Sequence, residues 1–137
     1  MKEFMLLIRK QKDDEEIISQ EFLKACENYI GDLKRGGKLI SAQPIEEEDN
    51  VVLSKNKTWK LASLNKAKEV IGGYYHLLAK DLEEAIEIAK ENPEFAYHPN
   101  SWIEIRPIKT SEERSGYAYP NSVEESLSYV EEMEMPF

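Results

Sequence analysis

Residues 69–93, EVIGGYYHLLAKDLEEAIEIAKENP, read as a strand that runs directly into a helix, and this unit restricts the fold more than any other segment. The strand spans roughly Val70 to Ala79. Asp81 and Glu84 form a D-x-x-E capping box, in which the first side chain accepts an orphan N–H of the first helical turn. Leu82, Ala85, Ile86 and Ala89 then supply one apolar face, and Asn92-Pro93 ends the helix because proline disfavours helical geometry in the residue before it. Gly72 and Gly73 interrupt the strand. Interior glycines of a strand mark either a bulge or a place where something approaches the backbone closely, such as a partner strand, an aromatic ring or a ligand.

The remaining elements fall around this unit. Residues 3–9, EFMLLIR, form a short unbroken apolar run of the kind found in a central strand covered on both faces. Phe22, Ala25, Cys26, Tyr29 and Leu33 recur at helical spacing over about 19–35, with Ser19 placed to cap the helix and Gly36 or Gly37 placed to end it in the left-handed conformation. KLISAQ (38–43) reads as a strand stopped by Pro44. NVVLS and TWKLA flank KNK as a hairpin with a polar tip. The segment 65–69 carries no clear signal. SWIEIRPI (101–108) alternates, with Ile103 and Ile105 on one face and Trp102, Glu104 and Arg106 on the other. After Lys109 the chain becomes loop-like, and Ser122 with Glu125 opens an expected short acidic helix carrying Val123, Leu127 and Val130 on one stripe. The division is thus a domain at 1–109 and a C-terminal extension at 110–137.

The 137 residues suit one domain with a real core. Acidic side chains outnumber basic ones 27 to 18, for a net charge of −9, which disfavours nucleic acid and anionic membrane surfaces as partners. A single cysteine, Cys26, builds no intrachain disulfide, and no Cys/His spacing suggests zinc. The carboxylate runs at 13–16 and 46–49 lack the alternating spacing and central glycine of an EF-hand loop, so no metal or other cofactor is expected. The N-terminus has five consecutive apolar residues before Arg9, too few for a secretion signal or a membrane span. A cytoplasmic location is expected.

Two helices alternating with these strands must lie on one face of a mainly antiparallel sheet, which gives an α+β, ferredoxin-like plait. The other face then needs a cover, and a second copy of the chain supplies one: a two-fold dimer with stacked sheets, a dimeric α/β barrel.

From MLLIR through LKRGGKLISAQP, IGGYYHLLAKDLEEAIEIAKENP and IEIRPI, the chain resembles the YCII-related proteins, the group that includes the DGPF-domain proteins. The resemblance covers about residues 1–108. It implies a ferredoxin-like fold, a dimer and an active-site cleft, in a family whose biochemical role is mostly undefined. The DGPF tetrapeptide that names one branch should fall just before Gly72, and LNKAKEVI stands there instead. The YciI-like branch carries a helix-1 histidine and an aspartate at a D-P-F/Y turn, proposed as a catalytic pair. By spacing these positions fall on Cys26 and Asn92. A neutral amide does not titrate, so Asn92 can orient a partner but cannot serve as a general base. Cys26 could replace the histidine as a nucleophile, although a thiol on the apolar stripe of a helix ordinarily behaves as a small hydrophobe.

Other candidates sit on the strands. His76 is a candidate because imidazole as a side-chain type suits proton transfer near neutral pH, but no carboxylate partner is evident in the sequence, and such a histidine can equally be a hydrogen-bonded structural residue. Strict alternation puts it on one face with Val70, Gly72, Tyr74 and Leu78. Glu104 and Arg106 could act as acid/base and anion anchor beside Trp102, or form an i,i+2 ion pair on the sheet surface. Tyr74, Trp102 and Trp59 could line a small-molecule pocket or pack an interface. His98, in YHPN, reads as a loop residue. Three functions remain: a dimeric module binding a small organic ligand between sheet and helices; an enzyme of lyase, isomerase or hydrolase type using His76 or Glu104 as base and Arg106 as anchor; and a structural or regulatory partner domain using the acidic C-terminal helix.

Overall fold

The unbroken apolar run near the N-terminus becomes β1 (Lys2–Gln11), and its alternate residues Phe4, Leu6 and Ile8 are buried against the helices. This computed structural model describes residues 1–12 and 17–119; the acidic run at 13–16 and the expected C-terminal helix lie outside the described residues. After β1 come α1 (Gln20–Arg35), β2 (Leu39–Pro44), β3 (Val51–Lys55), β4 (Trp59–Ser63), β5 (Glu69–Ala79), α2 (Leu82–Lys90), the single turn α3 (Glu94–Tyr97) and β6 (Trp102–Pro107). β1 lies inside a four-stranded antiparallel sheet of order β2-β5-β1-β6. This α+β arrangement is compatible with a ferredoxin-like plait, and β1 is central as its composition requires.

Local chemistry fixes the helix ends. Ser19 Oγ accepts from Phe22 N at 3.0 Å, and Asp81 Oδ1 accepts from Glu84 N at 2.9 Å. The box at α2 closes one residue early, because Glu84 Oε1 accepts from Lys80 N at 3.2 Å. α1 ends in a Schellman motif: Lys38 N donates to Leu33 O, Gly37 N donates to Lys34 O, and Gly37 takes φ +69°. Of the two candidate glycines it is therefore Gly37 whose missing Cβ is used.

The core lies between the sheet and the two long helices, where Leu6, Ile8, Tyr75 and Leu77 meet Leu33 and Ala89. Phe4, Ala79 and Ala85 extend it, with Ile88 packed against both groups. Burial of Leu6 or Leu77 contributes about 1.5–3 kcal/mol each. Leu82, expected on the buried stripe of α2, is exposed; it is the first residue of the helix, and Ile88 fills the face instead.

The glycine pair resolves into both expected causes. β1 pairs Ile8 with Gly73 but Arg9 with Ile71, so Gly72 is the extra residue of a β-bulge. The bulge breaks the strict alternation of β5. Val70 turns to the face shared with Lys10, and Ile71 turns to the face shared with Arg9. At Gly73 a Cβ would stand 3.1 Å from Gln43 O and 3.3 Å from Pro44 Cα, so the β2 backbone occupies the space a side chain would need.

β3 and β4 form a separate two-stranded ribbon outside the main sheet. All ten of its residues are exposed, among them Leu53, Leu61 and Trp59, the last at 67 %. The Lys55 ammonium lies 4.9 Å from the Trp59 ring centroid. Past β6, an isolated bridge between Ser111 and Ala118 folds residues 110–119 into a turn, with Gly116 at φ +72°. No helix among the described residues is long and apolar enough to cross a membrane.

Candidate cleft between the first helix and the sheet

The bulge at Gly72 and the bare backbone at Gly73 border a cavity of about 190 Å³, closed on its other side by α1. Ile8, Phe22, Ile30, Ala42 and Pro44 make its wall mainly apolar. Cys26, Gln43, Tyr74, Tyr75 and Glu94 bring polar atoms to it. Cys26, one of the two positions that the family resemblance singled out, therefore lines the cleft. Burial pushes its thiol up to about 11, and the nearby Glu94 carboxylate adds to the effect. At neutral pH the group is a protonated thiol, which is a poor nucleophile.

Asn92, the other such position, is 2 % exposed and does not line the cleft. Its Oδ1 accepts from Glu94 N at 3.0 Å and so starts α3. Its Nδ2 meets no acceptor at hydrogen-bond distance and angle, yet it lies near enough to the Tyr29 and Tyr75 hydroxyls to favour their ionised forms. Burial outweighs that influence: Tyr75 is pushed up to about 12, and Tyr29 is raised further. Tyr29 donates to Ile88 O at 2.6 Å, and its ring meets Tyr75 edge-on with centroids 5.5 Å apart.

His98, read from the sequence as a loop residue, directly follows α3 and reaches Phe22 and Glu94 of the cleft wall. It is buried, at 6 % exposure, and packs edge-on against Phe22 with centroids 4.5 Å apart. Its Nδ1 lies 2.7 Å from Glu94 Oε2, and its Nε2 lies 3.3 Å from Ile17 O. The i,i+4 spacing in EFAYH was the available signal, since one helical turn puts those two side chains on one face.

The strand candidates lie on the opposite face of the sheet, which is helix-free among the described residues. His76 has a carboxylate partner after all, with Nε2 2.9 Å from Oε1 of Glu3, a residue 3 % exposed. Tyr74 Oη is 2.9 Å from Ser41 Oγ. Glu104 is held on both oxygens, Oε1 by Arg9 Nη1 at 2.9 Å and Oε2 by Arg106 Nη2 at 3.0 Å, so the expected i,i+2 pair forms and Arg9 extends it. Arg9 also lies 3.6 Å from Glu69. Trp102 shares this face across from Arg9. His76 and the Glu104–Arg106 pair therefore share a face with Trp102, Tyr74 is the one of the five that also borders the cavity, and Trp59 stands apart on the ribbon. Among the described residues no group of three His, Cys, Asp or Glu side chains is placed to hold a metal ion.

Two comparisons bear on this arrangement. No curated protein shows significant similarity to the chain. The family model of the YCII-related domain matches residues 3–112, which span β1 through β6 and both polypeptide walls of the cleft. The chain is a member of the YCII-related domain family.

Proposed function

We propose that this chain is a small-molecule-binding member of its family, which takes an organic ligand into the cleft between α1 and the β2–β5 edge and works without the histidine–aspartate pair of the YciI-like branch. The observation that carries the reading is the cavity itself, an apolar pocket with a few convergent polar groups, which is the usual form of a ligand site. The substitutions at Cys26 and Asn92 leave one position with a protonated thiol and the other with an amide. Binding is thus favoured over chemistry at this site.

The same reading includes a dimer formed through the helix-free face of the sheet. Met5, Leu7, Leu78 and Trp102 are only partly buried there, between polar groups already paired with one another, a mixture suited to an interface core. A thermal-shift screen of metabolites, run with sedimentation velocity at several protein concentrations, tests both parts. Ligands that raise the melting temperature of the unaltered chain but not of Ala42→Trp, which fills the cavity, are the expected result. No shift across a broad screen would remove the binding reading, and a monomer at all concentrations would remove the dimer.

A second reading, enzymatic rather than binding, is favoured by Glu3 alone. A buried carboxylate on one imidazole nitrogen is the arrangement that orients a histidine base, and His76 makes no other hydrogen bond among the described residues. This reading puts chemistry on the helix-free face, with Arg106 as an anion anchor. It requires turnover that His76→Gln abolishes while the melting temperature holds.

A further inference from the structure

We propose that residues 132–137 add to the free edge of β3 in the same chain, as a third strand of the ribbon whose glutamates meet the ribbon's lysines. β3 needs such a cover. Its one ladder among the described residues is with β4. The bonds Leu64 N to Asn50 O and Asn56 N to Thr58 O bracket that ladder, and alternation between them points the N–H and C=O groups of Val51, Leu53 and Lys55 outward. Natural edge strands are commonly guarded by a lysine, and β4 carries Lys60 within its span. β3 has Val51, Val52 and Leu53 in succession, all exposed, and no charge before its last residue, Lys55.

Charge and side-chain phase identify the occupant. Residues 51–68 hold five lysines and no carboxylate, in a chain of net charge −9. Lys55, Lys57 and Lys60 form no ion pair among the described residues. Residues 120–137, outside the described residues, hold five glutamates and no lysine or arginine. Within them Glu132, Met133, Glu134 and Met135 alternate, and Phe137 keeps the phase of the methionines. The ribbon alternates to match. Val51, Leu53 and Lys55 share one face with Leu61 and Trp59, while Val52 and Ser54 share the other with Ala62 and Lys60.

An antiparallel strand in this phase sets Met133, Met135 and Phe137 opposite Lys55, Leu53 and Val51, the three residues whose backbone groups point outward. Glu134 then faces Ser54, which is small enough to let it reach Lys60 on the next strand, and Glu132 lies by Lys57 at the tip. The same register keeps the glutamates away from the acidic loop at 46–49 and turns the nitrogen of Pro136 outward, where no ladder bond is lost. Trp59, on β4, stays open to solvent. Extended, the chain between Tyr119 and Glu132 spans up to about 40 Å, against about 35 Å across a domain of this size. The tether thus supplies the segment at high effective concentration. A bilayer fits less well, because hydrocarbon leaves the ribbon edges unsatisfied, and nucleic acid phosphates would take the lysines while leaving Val51 and Leu53 bare.

Two measurements on the full chain test the proposal. Carbodiimide, which joins a lysine to a carboxylate in contact with it, should link Lys55, Lys57 or Lys60 of the unaltered protein to Glu132 or Glu134 within one chain. In hydrogen exchange, the amides of Val51, Leu53 and Lys55 should exchange about tenfold or more slowly than in the double variant Glu132→Lys, Glu134→Lys, and the difference should shrink as salt rises. Exchange at free-edge rates in both proteins, or cross-links that leave these lysines out, would overturn the proposal. Cross-links between two chains, with protection that grows with protein concentration, would assign the edge to a second copy. Protection that appears only with phosphatidylserine vesicles would assign it to a membrane, and either result would overturn the same-chain cover. Cross-linking needs no variant, so a variant that fails to fold does not shield the proposal.

Discussion

His76 Nε2 stands 2.9 Å from Glu3 Oε1, joining residues 73 positions apart across β1 and β5 on the helix-free face of the sheet. A carboxylate as buried as Glu3 depends on that contact, because an unsatisfied buried acceptor costs about 1–3 kcal/mol. His76→Leu should lower unfolding stability by that amount in urea titration. Glu3→Gln, whose amide can still meet a neutral imidazole, should lose less. Equal stability of His76→Leu and the unaltered chain would show that the pair contributes nothing.

The two adjacent glycines should respond differently to one methyl group. Gly73→Ala drives a Cβ against the backbone of Gln43 and Pro44, and forcing strands apart in this way costs about 1–3 kcal/mol. At Gly72 the nearest atom is Ile8 O at 3.9 Å, so Gly72→Ala should change stability by less than about 1 kcal/mol. Urea midpoints of the two variants, measured side by side, decide between these environments.

Helix capping offers a local test. Ser19→Ala and Asp81→Ala each remove a side-chain acceptor from a first-turn N–H, and each should cost about 0.5–2 kcal/mol. Asn or Thr at either position should restore most of the loss.

Cys26 makes a prediction about pH. Burial pushes its thiol up to about 11, well above an ordinary thiol, which leaves far less thiolate near neutrality. Iodoacetamide should therefore modify the native chain far more slowly than the urea-unfolded chain at pH 8. Between pH 9.0 and about 11 the unfolded state loses this proton first, so the stability the thiol contributes is complete below 9.0 and fades as pH rises through that window. Cys26→Ala should flatten the decline in urea midpoint across it.

The two tryptophans report separately on assembly. Trp59 is exposed on the ribbon, and Trp102 is partly buried on the helix-free face. In a Trp102→Phe variant, Trp59 emission should be strongly quenched by acrylamide. In a Trp59→Phe variant, Trp102 emission should be quenched less, and less again as protein concentration rises, if that face joins two copies.

What the sequence made legible was local. Ser19 and Asp81 announced their helices because a cap needs only residues two or three positions away, and β1 announced its central place because the consecutive apolar residues from Phe4 to Ile8 carry its composition. The ribbon was legible as a hairpin, but its separation from the sheet was not, since pairing partners are chosen by tertiary packing. Likewise, two glycines cannot say which is the extra residue; that depends on register against Ile8 and Arg9. Glu3 had no local signal connecting it to His76. His98 and Glu94 did have one, their one-turn spacing, but the proline before and after EFAYH made the segment read as loop. Of the strand residues singled out in the sequence, Tyr74 borders the cavity beside α1, while His76, Trp102, Glu104 and Arg106 occupy the other face, because the pairing of β1 with β5 and β6 decides which face each residue takes.

The β3–β4 ribbon shares no ladder with the four-stranded sheet, so its length and composition can change without re-registering any strand of the body. Insertions and substitutions accumulate most easily where the scaffold does not feel them. That freedom makes the ribbon the natural place for one lineage to acquire a new grip while inheriting an unchanged frame.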